Sequence, residues 1–311
     1  MKISYLGNFK FPWCTEVHIS KTLEALGHTV IRLQEDEADM KVVLDNANTS
    51  DMFLWTRTPG MLRFNGWEMI SKIKVLKVSY HLDLYVGISR ENWLDDEAFF
   101  HTDYVFQADG DPHSMEVFKQ KNVNAIWQKP GVYAPECTIA EPAADLITDI
   151  AFIGSHERYH EEWPYRMQLV EWLGNTYKER FKAFPTPTSG VIMCERLNQL
   201  CASAKIIIGD ALCKDFTHTN YWSNRVYEIT GRGGFIIHPV IEGLKEEFGN
   251  NIGYYDYGNF GQLKSLIDYY ISDNAAREEL RKKGHELTKN NYTFTHRLQA
   301  MFEILEKEGA I

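Results

Sequence analysis

The sequence predicts an α/β protein made of two doubly wound halves. Three observations predict it. Short apolar runs alternate with helical patterns from one end of the chain to the other. Two strand-like runs end directly in a glycine, Leu6-Gly7-Asn8 and Ile153-Gly154-Ser155. Between these halves, residues 133–148 break the pattern with Pro135, Pro142 and small residues. A length of 311 residues suits two domains. Strand–helix alternation implies βαβ units, a parallel sheet and helices on both of its faces.

In order, Ile3–Leu6, Val30–Leu33, Lys41–Leu44, Met52–Thr56, Val75–Ser79 and Tyr104–Gln107 read as buried strands. A helix lies between the first two, with Ile19, Leu23 and Leu26 on one face. Thr15 is placed to cap its start, and Gly27 to end it. After the break, strands are expected at Asp149–Ile153, Arg180–Ala183, Lys205–Ile208, Gly234–His238 and Ile252–Tyr255. A helix bearing Trp163, Met167, Val170 and Leu173 follows the first of them. The tail Phe294–Lys307 gathers Leu298, Met301, Phe302 and Leu305 on one face. The expected division is 1–145, 146–290 and a C-terminal helix in 291–311 that packs back toward the first half. These are two Rossmann-like domains, and a ligand is expected at the carboxyl ends of their strands, in the cleft between them.

Composition narrows the function. The net charge of -10 opposes loose binding to phosphate backbones. Five cysteines without a Cys-x-x-Cys pair indicate neither a disulfide framework nor a zinc site. The N-terminus enters a strand at once, without the apolar stretch of a signal peptide, and the apolar runs are strand-sized. A cytoplasmic protein without a membrane span is expected; its oligomeric state is open.

Gly7 and Gly154 stand at strand-to-helix turns, where a missing Cβ lets backbone approach a ligand. The richest stretch is Asn220–Phe235. Ser223, Asn224 and Arg225 open a helix there, and Glu228, three residues after Arg225, faces the same side. Arg225 can grip a diphosphate, and Glu228 can accept hydrogen bonds from vicinal hydroxyls of a ribose or sugar. Ser223 and Asn224, with backbone donors at Gly154, Ser155 and Gly234, complete the expected anion site.

At these residues the sequence resembles the C-terminal half of GT-B-fold glycosyltransferases, in particular the bacterial spore-maturation type and related phage or environmental enzymes. The resemblance is carried by residues 149–155, 204–210, 223–228, 231–238 and 292–297. It implies a nucleotide diphosphate sugar donor held by the second half and an acceptor on the first. It also implies transfer without an obligatory metal. Many retaining members carry two glutamates with seven residues between them. Glu228 matches the second, and Asn220 stands at the first, so retaining and inverting stereochemistry both stay open.

An inverting transfer needs a base at the acceptor hydroxyl. His81 and Asp83, directly after a strand in the first half, are the leading candidates: Asp83 as base, or Asp83 orienting His81. Glu16 and His18, at the start of the first helix, are candidates for contact with acceptor or sugar. The acceptor itself is open: a glycan, a lipid-linked saccharide, a small molecule or a hydroxylated DNA base such as a hydroxymethylpyrimidine. Scattered basic residues (Lys10, Arg57, Arg63, Lys72, Lys74, Lys77) among Trp55, Phe64 and Trp67 keep the DNA reading in view. A non-catalytic nucleotide-sugar sensor on the same fold is the alternative that Asn220 permits.

Overall fold

The structure is a computed structural model that describes residues 1–56, 67–88, 91–95, 99, 101–154, 164–210 and 218–311. Arg57, Arg63, Phe64, Ser155, Trp163 and Cys213 therefore lie outside the described residues. The chain forms two compact units. Met1–Tyr133 with Phe294–Ile311 make the first, and Ala134–Thr293 make the second.

The first unit holds a six-stranded sheet of β1 (Lys2–Gly7), β2 (Thr29–Gln34), β3 (Met52–Trp55), β4 (Leu76–His81), β5 (Tyr104–Gln107) and β6 (Ala125–Trp127). The order is β2-β1-β3-β4-β5-β6, parallel throughout. In β3 all four side chains are buried, as a central parallel strand with both faces covered requires. One face packs Trp55, Phe99, Phe118 and Val105; the other packs Tyr5, Ile19, Leu23 and Tyr80. The helix Phe294–Lys307 joins this second face, with Leu298, Met301 and Leu305 fully buried. Each such side chain stabilises the unit by about 1.5–3 kcal/mol. The return of the chain is fixed by Phe294 N–H donating to the Val132 carbonyl at 2.8 Å and Arg297 Nε to that of Pro130 at 2.9 Å.

The second unit holds β7 (Thr148–Ile153), β8 (Phe181–Phe184), β9 (Ala204–Ile208), β10 (Ile236–Pro239) and β11 (Gly253–Tyr255), in the order β11-β10-β9-β7-β8. It is also parallel. Both sheets share one logic: the first strand is flanked by the second on one side and the third on the other. The winding direction reverses beside β1 in one unit and beside β7 in the other, and ligands bind at such switch points.

Three local expectations are corrected. Lys41–Leu44 lies in a helix, Met40–Ala47, not a strand. The Asp39 carboxylate accepts the Val42 N–H at 2.8 Å, and Val43 and Ala47 are buried one turn apart while Val42 points outward. Thr15 is the first residue of the helix Thr15–Ala25, and its cap position is held by Cys14 without a side-chain bond. On the helix Pro164–Tyr177, the buried stripe is Tyr165, Leu169 and Leu173, with Met167 exposed. Gly27, at φ +91°, ends the first helix in the conformation that glycine adopts most readily.

Candidate active site

The strand β9 is followed directly by Gly209-Asp210, and its neighbour β7 by Gly154. Gly209 is confined by packing: a Cβ there would lie 2.3 Å from Cδ2 of His238. His238 is 1% exposed and its Nδ1 lies 2.8 Å from the Pro239 carbonyl, so it serves as a core residue. Burial holds its pKa below the ordinary histidine range.

Asp210, itself 2% exposed, takes two guanidinium groups. Arg166 Nε donates to Oδ2 at 2.6 Å, and Arg225 Nη1 donates to Oδ1 at 3.1 Å. Arg166 is buried on the helix Pro164–Tyr177, with its guanidinium 5.8 Å from the Phe152 ring centroid. Arg225 opens the short helix Arg225–Gly231 and keeps about a fifth of its side chain exposed. Burial lowers its pKa, and the Asp210 carboxylate opposes that shift. A guanidinium stays charged regardless. Two cations thus share one carboxylate, and the group presents positive charge through Arg225.

Gly154 makes the close approach to this cation possible. Its φ is +148°, and a Cβ there would lie 3.0 Å from Arg225 Nη2. Its N–H is bonded to the Phe184 carbonyl at 3.0 Å, so what it offers a ligand is space rather than the expected backbone donor.

Gly154, Arg225 and Glu228 line one cavity of about 470 Å³. Its other walls include Ile153, Pro185, Val191, Ile192, Met193 and Leu197. The volume lies in the range of small-ligand sites, mostly apolar with a few placed charges. Ser223 stands at the root of the helix, where its Oγ accepts the Arg225 N–H at 3.2 Å. Asn224 occupies the cap position without a side-chain bond to the helix. Gly234 lies elsewhere, buried, with its N–H bonded to the Ile229 carbonyl at 2.8 Å and no room for a Cβ beside the Ile229 side chain. It does not line the Arg225 cavity. Asn220 packs with Oδ1 against Gly243, where a Cβ would come within 2.3 Å.

In the first unit the corresponding switch point carries acid. Gly7 ends β1 with its missing Cβ filled by Glu16, whose Cγ would lie only 2.8 Å away. Glu16 is 9% exposed and accepts the Asn8 backbone N–H. Burial pushes its pKa up to about 7, and the charge of Asp83 adds to the rise. Asp83 is exposed, in the turn after β4. So Gly7 sits against Glu16, and Glu16 and Asp83 form one electrostatic pair. His81 is 2% exposed, enclosed by Trp55, Phe99 and Tyr85 at ring-centroid distances of 5.1, 5.3 and 5.6 Å. The Tyr85 hydroxyl lies 3.5 Å from its Nδ1. His18 is also buried, stacked on Tyr133 at 4.6 Å and 7°.

Sequence reasoning missed Asp210, Arg166 and the apolar wall at 191–193. Asp210 had a signal: a carboxylate directly after Gly209 at the end of an apolar strand, where α/β sheets place function. Among the described residues no group of three His, Cys, Asp or Glu side chains is arranged to hold a metal ion. Among them, too, no helix is long and apolar enough to cross a membrane.

Two parallel doubly wound units with a charged cavity at the switch point of the second define a class, the two-domain GT-B architecture. Solved structures with this fold align along nearly the whole chain. An alpha-glucosyltransferase in complex with UDP-glucose and DNA containing an abasic site aligns with a TM-score of 0.71 at 11% identity, covering 98% of this chain and 99% of that one. The Anabaena protein HepE in complex with UDP and glucose gives 0.66 at 13% identity, covering 99% and 100%. A glycosyltransferase from Rickettsia africae gives 0.63 at 13%, covering 98% of each. No curated protein is a significant sequence match. The profile of the glycosyl transferase-like family matches residues 137–303, and the chain belongs to that family. It is a glycosyltransferase.

Proposed function

We propose that the protein moves a sugar from a nucleoside diphosphate sugar to an acceptor hydroxyl, with no metal required for transfer. The observation that carries the donor half is the cavity of Gly154, Arg225 and Glu228, with Arg225 fixed by a buried carboxylate. Departure of a diphosphate needs positive charge already in place, since preorganised charge costs no reorganisation during the reaction. Arg225 supplies that charge, with Arg166 behind Asp210 adding to the field. Glu228 accepts hydrogen bonds from a diol on the ribose or sugar. The apolar wall at Val191–Met193 and Leu197 receives the flat base. Structures of similar fold hold UDP or UDP-glucose, which makes a uridine donor the first to try.

The acceptor half rests on the first unit. Asp83 takes the proton of the acceptor hydroxyl, with Glu16 beside it, and a carboxylate pair with one member near pH 7 suits that task. His81 acts behind them, its ring packed among aromatic side chains at the base of the turn that carries Asp83.

Calorimetry with a panel of nucleotide sugars, starting from UDP-glucose, tests the donor site. Arg225→Ala should bind at least about 100-fold more weakly, as loss of a charge-assisted contact of some 3 kcal/mol requires. Equal affinity for every nucleotide sugar in the two proteins would remove Arg225 from the donor site.

A further inference from the structure

Between β1 and its first helix, the first unit carries a loop rich in aromatics that the donor chemistry does not use: Asn8-Phe9-Lys10-Phe11-Pro12-Trp13-Cys14. Phe11 and Trp13 stack face to face at 4.9 Å and 7°. Phe11 is 50% exposed. A preformed aromatic stack with a half-buried Trp13 and an exposed Phe11 is unusual because the Phe11 ring would be more stable inside.

The loop is held in shape. The Phe9 N–H donates to Gln34 Oε1 at 2.7 Å, and the Phe9 ring meets Tyr5 edge-on at 5.2 Å. The Cys14 N–H donates to the Phe11 carbonyl at 3.1 Å, closing a turn on the helix whose second residue is Glu16. A hydrogen-bonded stretch of chain therefore leads from the platform to Glu16.

The electrostatics select among flat or ring-shaped ligands. The loop's cation, Lys10, is tied to Asp36. Glu35 and Glu16 both act on the Cys14 thiol, where burial and their negative charges raise the pKa. Glu16, Glu35 and Asp36 thus flank the loop that carries the aromatic pair. A nucleic-acid strand would bring phosphates into this field and needs unpaired cations to neutralise them. A neutral sugar ring brings none. Its C–H face, polarised by the attached oxygens, meets the negative face of an aromatic ring, and its hydroxyls donate to carboxylates.

From this arrangement we infer that the Phe11–Trp13 pair is the acceptor platform and that the acceptor is a neutral saccharide. The inference deepens the transferase reading above and rests on it for the word acceptor. Saturation-transfer NMR with maltose, cellobiose, lactose and methyl glucosides tests binding directly, on the full chain, with calorimetric UDP-glucose binding measured in parallel.

Wild type should pass magnetisation to ring protons of at least one saccharide. Phe11→Ala should weaken that binding about tenfold, as loss of one aromatic face implies. Phe11→Trp should retain it, and donor affinity should be unchanged in both variants. The proposal is overturned if wild type binds the donor but none of the saccharides, or if Phe11→Ala binds them as well as wild type. It is also overturned if the loop instead governs a steeply salt-dependent affinity for a duplex with a hydroxymethylpyrimidine. Failure of wild type to bind any nucleotide sugar would sink the donor reading alone, since the saccharide measurement does not use the donor.

Discussion

Arg225 and Asp210 meet at 3.1 Å, and the second oxygen of that carboxylate is already committed to Arg166 at 2.6 Å. Arg225 therefore reaches its cavity braced from behind by a carboxylate that solvent barely touches. Replacing Asp210 with Asn removes the countercharge of both cations at once. Breaking a buried pair of this kind costs about 3–5 kcal/mol. Asp210→Asn should lower the melting temperature by about 6–20 °C, at 2–4 °C per kcal/mol, and weaken nucleotide-sugar binding. Asp149→Asn is the control. Its partners Arg180 and Lys205 are about half exposed, so its melting temperature should stay close to wild type. Similar melting temperatures in the two variants would show that Asp210 braces nothing.

Gly154 is the second test of the same arrangement. Alanine there would hold a strained φ of +148° and place its Cβ 3.0 Å from Arg225 Nη2. Backbone strain of this sort costs about 1–3 kcal/mol. Gly154→Ala should fold with reduced stability and bind UDP-glucose at least about tenfold more weakly, because the methyl group occupies the space that Gly154 leaves open. Unchanged affinity in calorimetry would mean that the ligand does not approach this glycine.

The sequence carried the halves of this site but not their joints. Alternation of strand and helix announced two parallel sheets, because both faces of such a sheet must be covered. The three-residue spacing of Arg225 and Glu228 put them on one side of a helix, and both line the cavity. Asp210 and Arg166, by contrast, are 44 residues apart, and Glu16 meets the field of Asp83 from a different strand end. Such pairings are set by strand order, which no local pattern encodes. The misreading at Lys41–Leu44 has a local cause. Four residues of mostly branched apolar character suit a strand, and the Asp39 cap together with the Val43–Ala47 stripe decides for a helix. Position in the chain makes His81, after a strand end, and His18, at a helix start, candidates for chemistry; burial among aromatic rings is a property of the packed unit.

Glu228 gives a kinetic prediction. It lines the cavity on the same helix face as Arg225, and a hydrogen bond to a charged acceptor is worth about 1.5–3 kcal/mol. Glu228→Gln keeps the shape and loses the charge. In steady-state assays the KM for the donor should rise about 10- to 100-fold with a smaller change in kcat, since the diol is held equally before and during transfer. A fall in kcat at constant KM would instead place Glu228 at the reacting carbon.

Glu16 makes stability depend on pH in a direction opposite to most carboxylates. Its pKa stands at about 7 in the folded protein, against 4.5 as an ordinary glutamate, because burial and then Asp83 disfavour its charge. Between those values the folded state binds the extra proton, so stability falls as pH rises. The contribution is fully present below about pH 4.5 and is lost on rising through pH 7, a change of about 3 kcal/mol. Glu16→Gln mimics the protonated form and should remove this slope, leaving the variant more stable than wild type at pH 8. Asp83→Asn should move the slope to lower pH by deleting the second cause of the shift. Urea melts of the three proteins from pH 5 to 8 read both effects. Parallel profiles for wild type and Glu16→Gln would show that Glu16 titrates as an ordinary surface acid, and would take with it the carboxylate pair proposed to accept the hydroxyl proton.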